Sequence, residues 1–216
     1  MISIAIDGPG GAGKSTIAKM VAKELGIDYI DTGAMYRAVG YKALQTGTDL
    51  NDLDALNKML DGTDIDFSGG STFLDGTCVD DKIRTPDASM MASKVSALAP
   101  VREKLVMLQR EMGHKKSVIM DGRDIGTNVL TDASFKFYMT ASAEERAKRR
   151  HKELIEKGEN VSFDEVLSDI NARDKNDMER ELNPLRKADD AIEIDTSNLS
   201  IEEVVDVILK NIVSGQ

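Results

Sequence analysis

Eight residues near the start of the chain constrain it most. Gly8-Pro9-Gly10-Gly11-Ala12-Gly13-Lys14-Ser15 satisfies the pattern G-x-x-x-x-G-K-S. It follows the short apolar run Ile2 to Ile6 and opens Lys14 to Leu25, where Ile17, Ala18, Val21, Ala22 and Leu25 recur at helical spacing. Strand, glycine-rich turn and helix in that order are the setting in which the pattern has a mechanism. Glycines let the backbone curl so that successive N–H groups converge on a phosphate chain, and the helix N-terminus adds partial positive charge. Lys14 reaches the β- and γ-phosphates, and Ser15 offers a hydroxyl to the Mg²⁺ that accompanies them. Gly8 to Thr16 are therefore expected to cradle a nucleoside triphosphate. The same stretch also fits G-x-G-x-x-G through Gly8, Gly10 and Gly13, and Asp31 follows at about the distance of a dinucleotide fold's ribose acid. The Lys14-Ser15 pair decides for the triphosphate, because a dinucleotide site has no use for it.

The rest of the chain continues the alternation. Tyr29-Ile30 reads as a second strand, and Asp31 or Thr32 can cap a helix from Ala34 to about Gln45, closed by Gly47. Between about 63 and 85 the rhythm breaks into Ile65-Asp66-Phe67, Thr72-Phe73-Leu74 and Thr77-Cys78-Val79, separated by Gly69-Gly70 and Asp75-Gly76. These are hairpin signals and predict a small antiparallel meander. A helix from Val101 to Met112 is expected to start at Pro100 and end at Gly113. Strands follow at Ser117 to Met120, Phe135 to Met139 and Ala191 to Ile194. Capping boxes begin at Ser142, Ser162 and Ser200; Gly158 closes the first of these helices, and Ile201, Val204, Val205, Ile208, Leu209 and Ile212 stripe the last. Strands alternating with helices predict an α/β fold, a parallel sheet with helices on both faces.

Composition removes other classes. The 216 residues carry 28 Lys and Arg against 38 Asp and Glu, a net charge of −10, with 4% aromatic residues and no Trp. A non-specific nucleic-acid binder is not expected from an acidic chain without stacking platforms. No apolar run approaches the roughly 20 residues that span a bilayer. The N-terminal run reads as a strand, not a leader, and Cys78 is the single cysteine, so a cytoplasmic location is expected. His114 and His151 lie beside lysines with no further His or Cys at ligand spacing, so no protein-ligated metal is expected.

Charged residues fall where strands end. Asp31-Thr32-Gly33-Ala34-Met35-Tyr36-Arg37 follows the second strand, and Met120-Asp121-Gly122-Arg123-Asp124-Ile125-Gly126 follows a later one. Both sit at the carboxyl edge of a parallel sheet, where ligands bind. Asp121 is placed to order Mg²⁺ and its waters. Arg123 with Asp124 faces a ligand or forms a structural ion pair, and Arg37 is a ligand-binding or a surface residue. Arg146, Arg149 and Arg150 open a basic helix start. Arg173, Asp177 and Arg180 share one helical face, either two cations for phosphate and an acceptor for a sugar hydroxyl, or a surface pair.

Together these segments resemble the bacterial cytidylate kinases among the nucleoside monophosphate kinases. The likeness covers essentially the whole chain and includes Lys82-Ile83-Arg84-Thr85 and Ser93-Lys94-Val95-Ser96 leading to Val101-Arg102-Glu103. It implies a P-loop kinase fold with three layers and a five-stranded parallel sheet. The core would be 1–31, 97–145 and 163–216, the monophosphate-binding region with its β insert about 32–96, and a short lid about 146–162, in one kinase domain. It implies ATP and CMP or dCMP as substrates, Mg²⁺ bound with ATP, and direct in-line transfer. By that resemblance Thr32, Arg37, Ser93, Arg102, Arg123, Asp124, Arg173, Asp177 and Arg180 hold CMP. Lys14, Asp121, Arg123 and Arg149 serve the transfer, with Arg146 or Arg150 able to replace Arg149. Thr32 stands where many members have Ser, and Ser15 where some have Gly.

Other readings remain to be separated by experiment: a small-molecule P-loop kinase acting on UMP, AMP or shikimate, or a nucleotide-binding module without turnover. A GTPase switch needs Asn-Lys-x-Asp, and Asn57-Lys58-Met59-Leu60 lacks the Asp. A monomer is expected, since no apolar stripe is left over.

Overall fold

The first apolar run forms β1 (Ser3–Asp7), with Ile4, Ala5 and Ile6 fully buried. Helix α1 (Lys14–Leu25) follows, then β2 (Asp28–Asp31), α2 (Thr32–Thr46), α3 (Leu53–Asp61), β3 (Ile65–Ser68), β4 (Ser71–Leu74) and β5 (Thr77–Cys78). Next come α4 (Pro86–Val95), α5 (Ala99–Lys115), β6 (Val118–Gly122), a π-helical turn (Ile125–Val129) and β7 (Phe135–Thr140). The chain ends with α6 (Ala143–Glu156), α7 (Phe163–Glu179), β8 (Ile192–Asp195) and α8 (Ile201–Ser214). This computed structural model describes residues 1–68 and 70–215. The Gly69 of the expected Gly69-Gly70 turn lies outside the described residues.

Five strands form one sheet in the order β2-β6-β1-β7-β8, and β3-β4-β5 form a second. The registers of β1 with β6, β1 with β7, and β7 with β8 are parallel; β3–β4 and β4–β5 are antiparallel. The chain divides into two compact units, Met1–Tyr29 with Lys116–Gln216, and Ile30–Lys115. Residues 97–115, expected with the core, fall in the second unit.

In the first unit, α1 and α8 cover one face of the sheet. Ile17, Val21, Val204 and Ile208 pack with Ile4, Ile6, Ile119, Phe137 and Ile194. Each such side chain contributes about 1.5–3 kcal/mol by leaving water. This explains why the stripe of α8 is core, although Ile201 at its start remains exposed. In the second unit α2 packs on α4 so closely that a Cβ on Gly40 would lie 2.9 Å from the Met91 Cβ.

Of the two expected caps Asp31 serves α2, accepting from Ala34 N at 2.8 Å. Other helix ends differ from expectation. Gly113 does not end α5, which runs to Lys115. An interior glycine costs about 1 kcal/mol, which the packing of Val101, Leu105 and Val106 outweighs. Ser162 and Ser200 form complete capping boxes, but Ser142 forms half of one. Its hydroxyl accepts from Glu145 N, while the Glu145 carboxylate pairs with Lys148 and Ser142 N donates to Ser197. The helical stretch around Asn57 to Leu60 is α3, capped by Asp52; α4 was not read from the sequence, although Thr85 caps it as an ordinary N-cap residue does.

Candidate active site

At the end of β1 the chain turns sharply through Gly8, whose φ is +147°, and a Cβ there would collide with the Met139 carbonyl oxygen. Only glycine fits. The loop delivers its N–H groups to the start of α1, where Gly13 caps the helix without a side chain. Lys14 is buried, and its Nζ donates to the Pro9 carbonyl at 2.8 Å. Burial, reinforced by Arg123, lowers its amine to about 7. A polyanion beside it would raise the amine again, and the start of α1 favours negative charge there.

Strand β6 brings Asp121 beside the loop, in register with Ile6. Its Oδ2 accepts from Ser15 Oγ at 2.9 Å, and its Oδ1 from Tyr29 OH at 2.7 Å. Asp7, at the end of β1, accepts from Ile125 N and Gly126 N, both at 2.7 Å. That clamp holds the π-helical turn after Asp124 against the strand that feeds the glycine-rich loop. Burial still lifts the Asp7 carboxyl to about 6, although the two N–H groups oppose the rise.

Arginines gather at the same loop. A Cβ on Gly10 would lie 3.3 Å from Arg123 Nη2 and 3.8 Å from Arg173 Nε, and one on Gly11 would lie 3.4 Å from the Arg146 Cβ. Arg123 Nε donates to Asp177 at 2.7 Å. Burial opposes the Asp177 charge, but the Arg123 guanidinium outweighs it and holds the carboxyl below its ordinary value. Arg180 donates to Asp124 at 3.0 Å. Arg180 is the cap residue that ends α7; its N–H still donates to the Asn176 carbonyl, and the backbone turns extended after it. The pairs run across elements, from 123 to 177 and from 180 to 124.

Of the basic helix start, Arg146 is the residue brought to the loop. It is 4% exposed and donates to the Gly10 carbonyl at 3.0 Å and to both Asp174 oxygens at 3.1 and 2.6 Å. Arg149 donates to the Thr196 carbonyl at 2.7 Å, and Thr196 Oγ1 in turn donates to the Ala12 carbonyl at 3.4 Å. Arg150 pairs with Glu153. Pro9, Gly10, Gly11, Ala12 and Thr16 complete the loop and the first turn of α1; Ala12 is buried and Thr16 exposed.

The second unit carries the remaining expected residues. Thr32 is buried at the first position of α2. Arg37 Nη2 donates to Asp31 Oδ2 at 3.0 Å, and its Nε is buried with no hydrogen-bond partner among the described residues. Asp31 thus caps a helix and holds an arginine, which is not the role of a ribose acid. Arg102 is 3% exposed, donates to the Ser96 carbonyl at 3.3 Å, and stands 5.8 Å from the Tyr36 ring centroid. Ser93 lies half-buried on α4.

A family model described as cytidylate kinase matches residues 4–214. The chain belongs to the cytidylate kinase family. The cytidylate kinase of Caldicellulosiruptor saccharolyticus is 55% identical over 213 residues, covering 97% of this chain and 94% of its own. That of Clostridioides difficile is 51% identical over 209 residues and covers 97% of each chain. A crystal structure of shikimate kinase from Bacteroides thetaiotaomicron is similar in fold, with a TM-score of 0.50 and 14% identity over 98% of both chains. This likeness to a P-loop kinase agrees with the expected α/β architecture of a five-stranded parallel sheet with a small antiparallel insert.

For a cytidylate kinase chain, four side chains at this site were not singled out from sequence: Asp7, Tyr29, Asp174 and Thr196. Asp7 had a visible signal, a lone carboxylate between a buried strand and the glycine turn. Tyr29, Asp174 and Thr196 had none, because their partners lie 92, 28 and 184 positions away.

Proposed function

We propose that the chain transfers the terminal phosphoryl group of ATP to CMP or dCMP, giving ADP with CDP or dCDP. The observation that carries this reading is the family match over residues 4–214. The local geometry supports it: a glycine-rich loop with a buried Lys14 is flanked by Arg123, Arg146 and Arg173. The acceptor phosphate is already anionic, so no strong general base is needed. The protein's task is to hold two polyanions in line and neutralise the charge that develops between them. Gly8 to Thr16 bind the donor phosphates, and Lys14 and Arg123 stabilise the charge of the transferring group. Arg149 or Arg146 closes over it from the lid, 146–162.

Thr32, Ser93, Arg102, Arg123 and Asp124 read the cytosine and the CMP phosphate; Arg37 and Arg180 hold the acceptor phosphate; Arg173 and Asp177 reach the sugar. The unsatisfied Nε of Arg37 supports a phosphate there, since a buried donor without a partner is costly. The Ser15 hydroxyl and Asp121 carboxylate, 2.9 Å apart, are hard oxygen donors of the kind Mg²⁺ takes. Bound there with ATP, the metal supplies charge neutralisation on the phosphates, with part of its shell filled by water. The chain acts as one kinase domain and as a monomer in the cytoplasm, a reducing compartment that suits its single cysteine.

The test is ADP release by purified protein with CMP, dCMP, UMP, AMP and shikimate in turn. CMP and dCMP are expected to give the highest kcat/KM. Turnover of UMP, AMP or shikimate without CMP would replace the acceptor; no turnover with any would leave a binding module.

A further inference from the structure

Asp121 is held by two hydroxyls on opposite oxygens. Ser15 comes from the first turn of α1, directly after the glycine-rich loop; Tyr29 comes from β2, next to β6 at the sheet edge. The Tyr29 ring is half-buried, and the Lys19 ammonium lies 5.6 Å from its centroid. A cation against a phenol ring favours electron withdrawal from the hydroxyl, which strengthens it as a donor. A carboxylate turns easily about its last bond, so a single donor on Oδ2 leaves its plane loosely set. A second donor on Oδ1 defines that plane.

We propose that Tyr29 is a positioning residue for phosphoryl transfer, whose hydroxyl locks the Asp121 carboxylate so that Asp121 and Ser15 present their oxygens together to the nucleotide's Mg²⁺. The inference rests on the assignment of Asp121 and Ser15 to the metal side of the donor site. Outer partners that orient a metal-side carboxylate typically change metal affinity or activity by about 10- to 100-fold when removed.

The experiment measures ADP affinity by calorimetry with and without Mg²⁺ in the whole protein, its Tyr29→Phe variant and its Asp121→Asn variant, alongside the Mg²⁺ requirement of turnover. Tyr29→Phe keeps the ring and removes the donor. It is expected to reduce the Mg²⁺-dependent tightening of ADP by about tenfold, leave metal-free ADP affinity unchanged, and raise the Mg²⁺ needed for half-maximal rate by a similar factor. Asp121→Asn is expected to remove most of the Mg²⁺-dependent gain. If Asp121→Asn keeps that gain, the metal-side assignment fails and Tyr29 falls with it. If Asp121→Asn loses the gain while Tyr29→Phe keeps it, Tyr29 alone is overturned. Equal weakening of ADP with and without Mg²⁺ in Tyr29→Phe also overturns it, because that is the signature of a merely structural residue.

Discussion

In the first unit Arg123, Arg146 and Arg180 donate to carboxylates 54, 28 and 56 positions away; in the second, Arg37 and Arg102 donate to acceptors six positions away. The long pairs tie α7 and the residue after it to the end of β6, and α6 to α7, so each ion's place depends on the fold. The Arg37 pair ties down only the first turns of α2, and releasing it for a ligand disturbs little else. Both kinds of pair are largely buried, but breaking a long one also unties two distant segments, whereas breaking the Arg37 pair leaves the chain on either side of it connected. Changes in the first unit should therefore damage stability and activity together, and changes at Arg37 should separate them.

The sharpest break expected is Lys14→Ala. Turnover should fall by about 100- to 1,000-fold, the scale of losing one transition-state charge contact. Urea unfolding should show no loss, and if anything a gain, because an amine that burial lowers from 10.5 to about 7 is held in the folded chain at a cost. Near-normal turnover in this variant would dismantle the phosphate cradle.

Asp177→Asn takes the carboxylate from Arg123 without changing shape. Stability is expected to fall by about 3 kcal/mol, and kcat/KM for CMP should fall with it. If urea unfolding shows no loss, the long pairs do not bind the elements as described.

Asp7 sharpens the same side through pH. Its carboxyl is raised from 3.8 to about 6, so its stabilising contribution is complete below about pH 4 and lost as pH rises through 6. The loss is on the order of 3 kcal/mol. The stability difference between the protein and Asp7→Asn should shrink as pH climbs from about 4.5 to 7 and then level off. A difference independent of pH would mean that Asp7 titrates as an ordinary carboxylate.

Arg37→Ala is expected to move stability least, by about 1 kcal/mol, since Asp31 keeps its bond from Ala34 N when the guanidinium is gone. It should still raise KM for CMP about tenfold, the value of one charge-assisted hydrogen bond. A stability loss matching that of Asp177→Asn would erase the contrast between the units.

Much of the fold was legible because its signals are local. The α1 span, the glycines that end α1, α2 and α6, the meander and the Ser162 and Ser200 boxes depend on neighbours a few residues apart. Gly113 misled for the opposite reason, since burial of the α5 face overrode a local helix breaker. At the site, the residues of the loop could be read outright, but Arg146 could not be told from Arg149 or Arg150. All three lie on one basic stretch, and only the approach of α6 to Gly10 and Asp174 distinguishes them.

The sequence alone determined the glycine-rich loop between strand and helix, the alternation that builds a parallel sheet, and the identity of the charged residues at the strand ends. Each follows from backbone freedom, periodicity or side-chain chemistry within a short window. Tertiary structure decided which charge meets which: Arg123 with Asp177, Arg180 with Asp124, Arg146 with Asp174, and Tyr29 with Asp121. The physical reason is that a pairing energy depends on distance and on water exclusion, and folding sets both by bringing distant segments to one edge of the sheet.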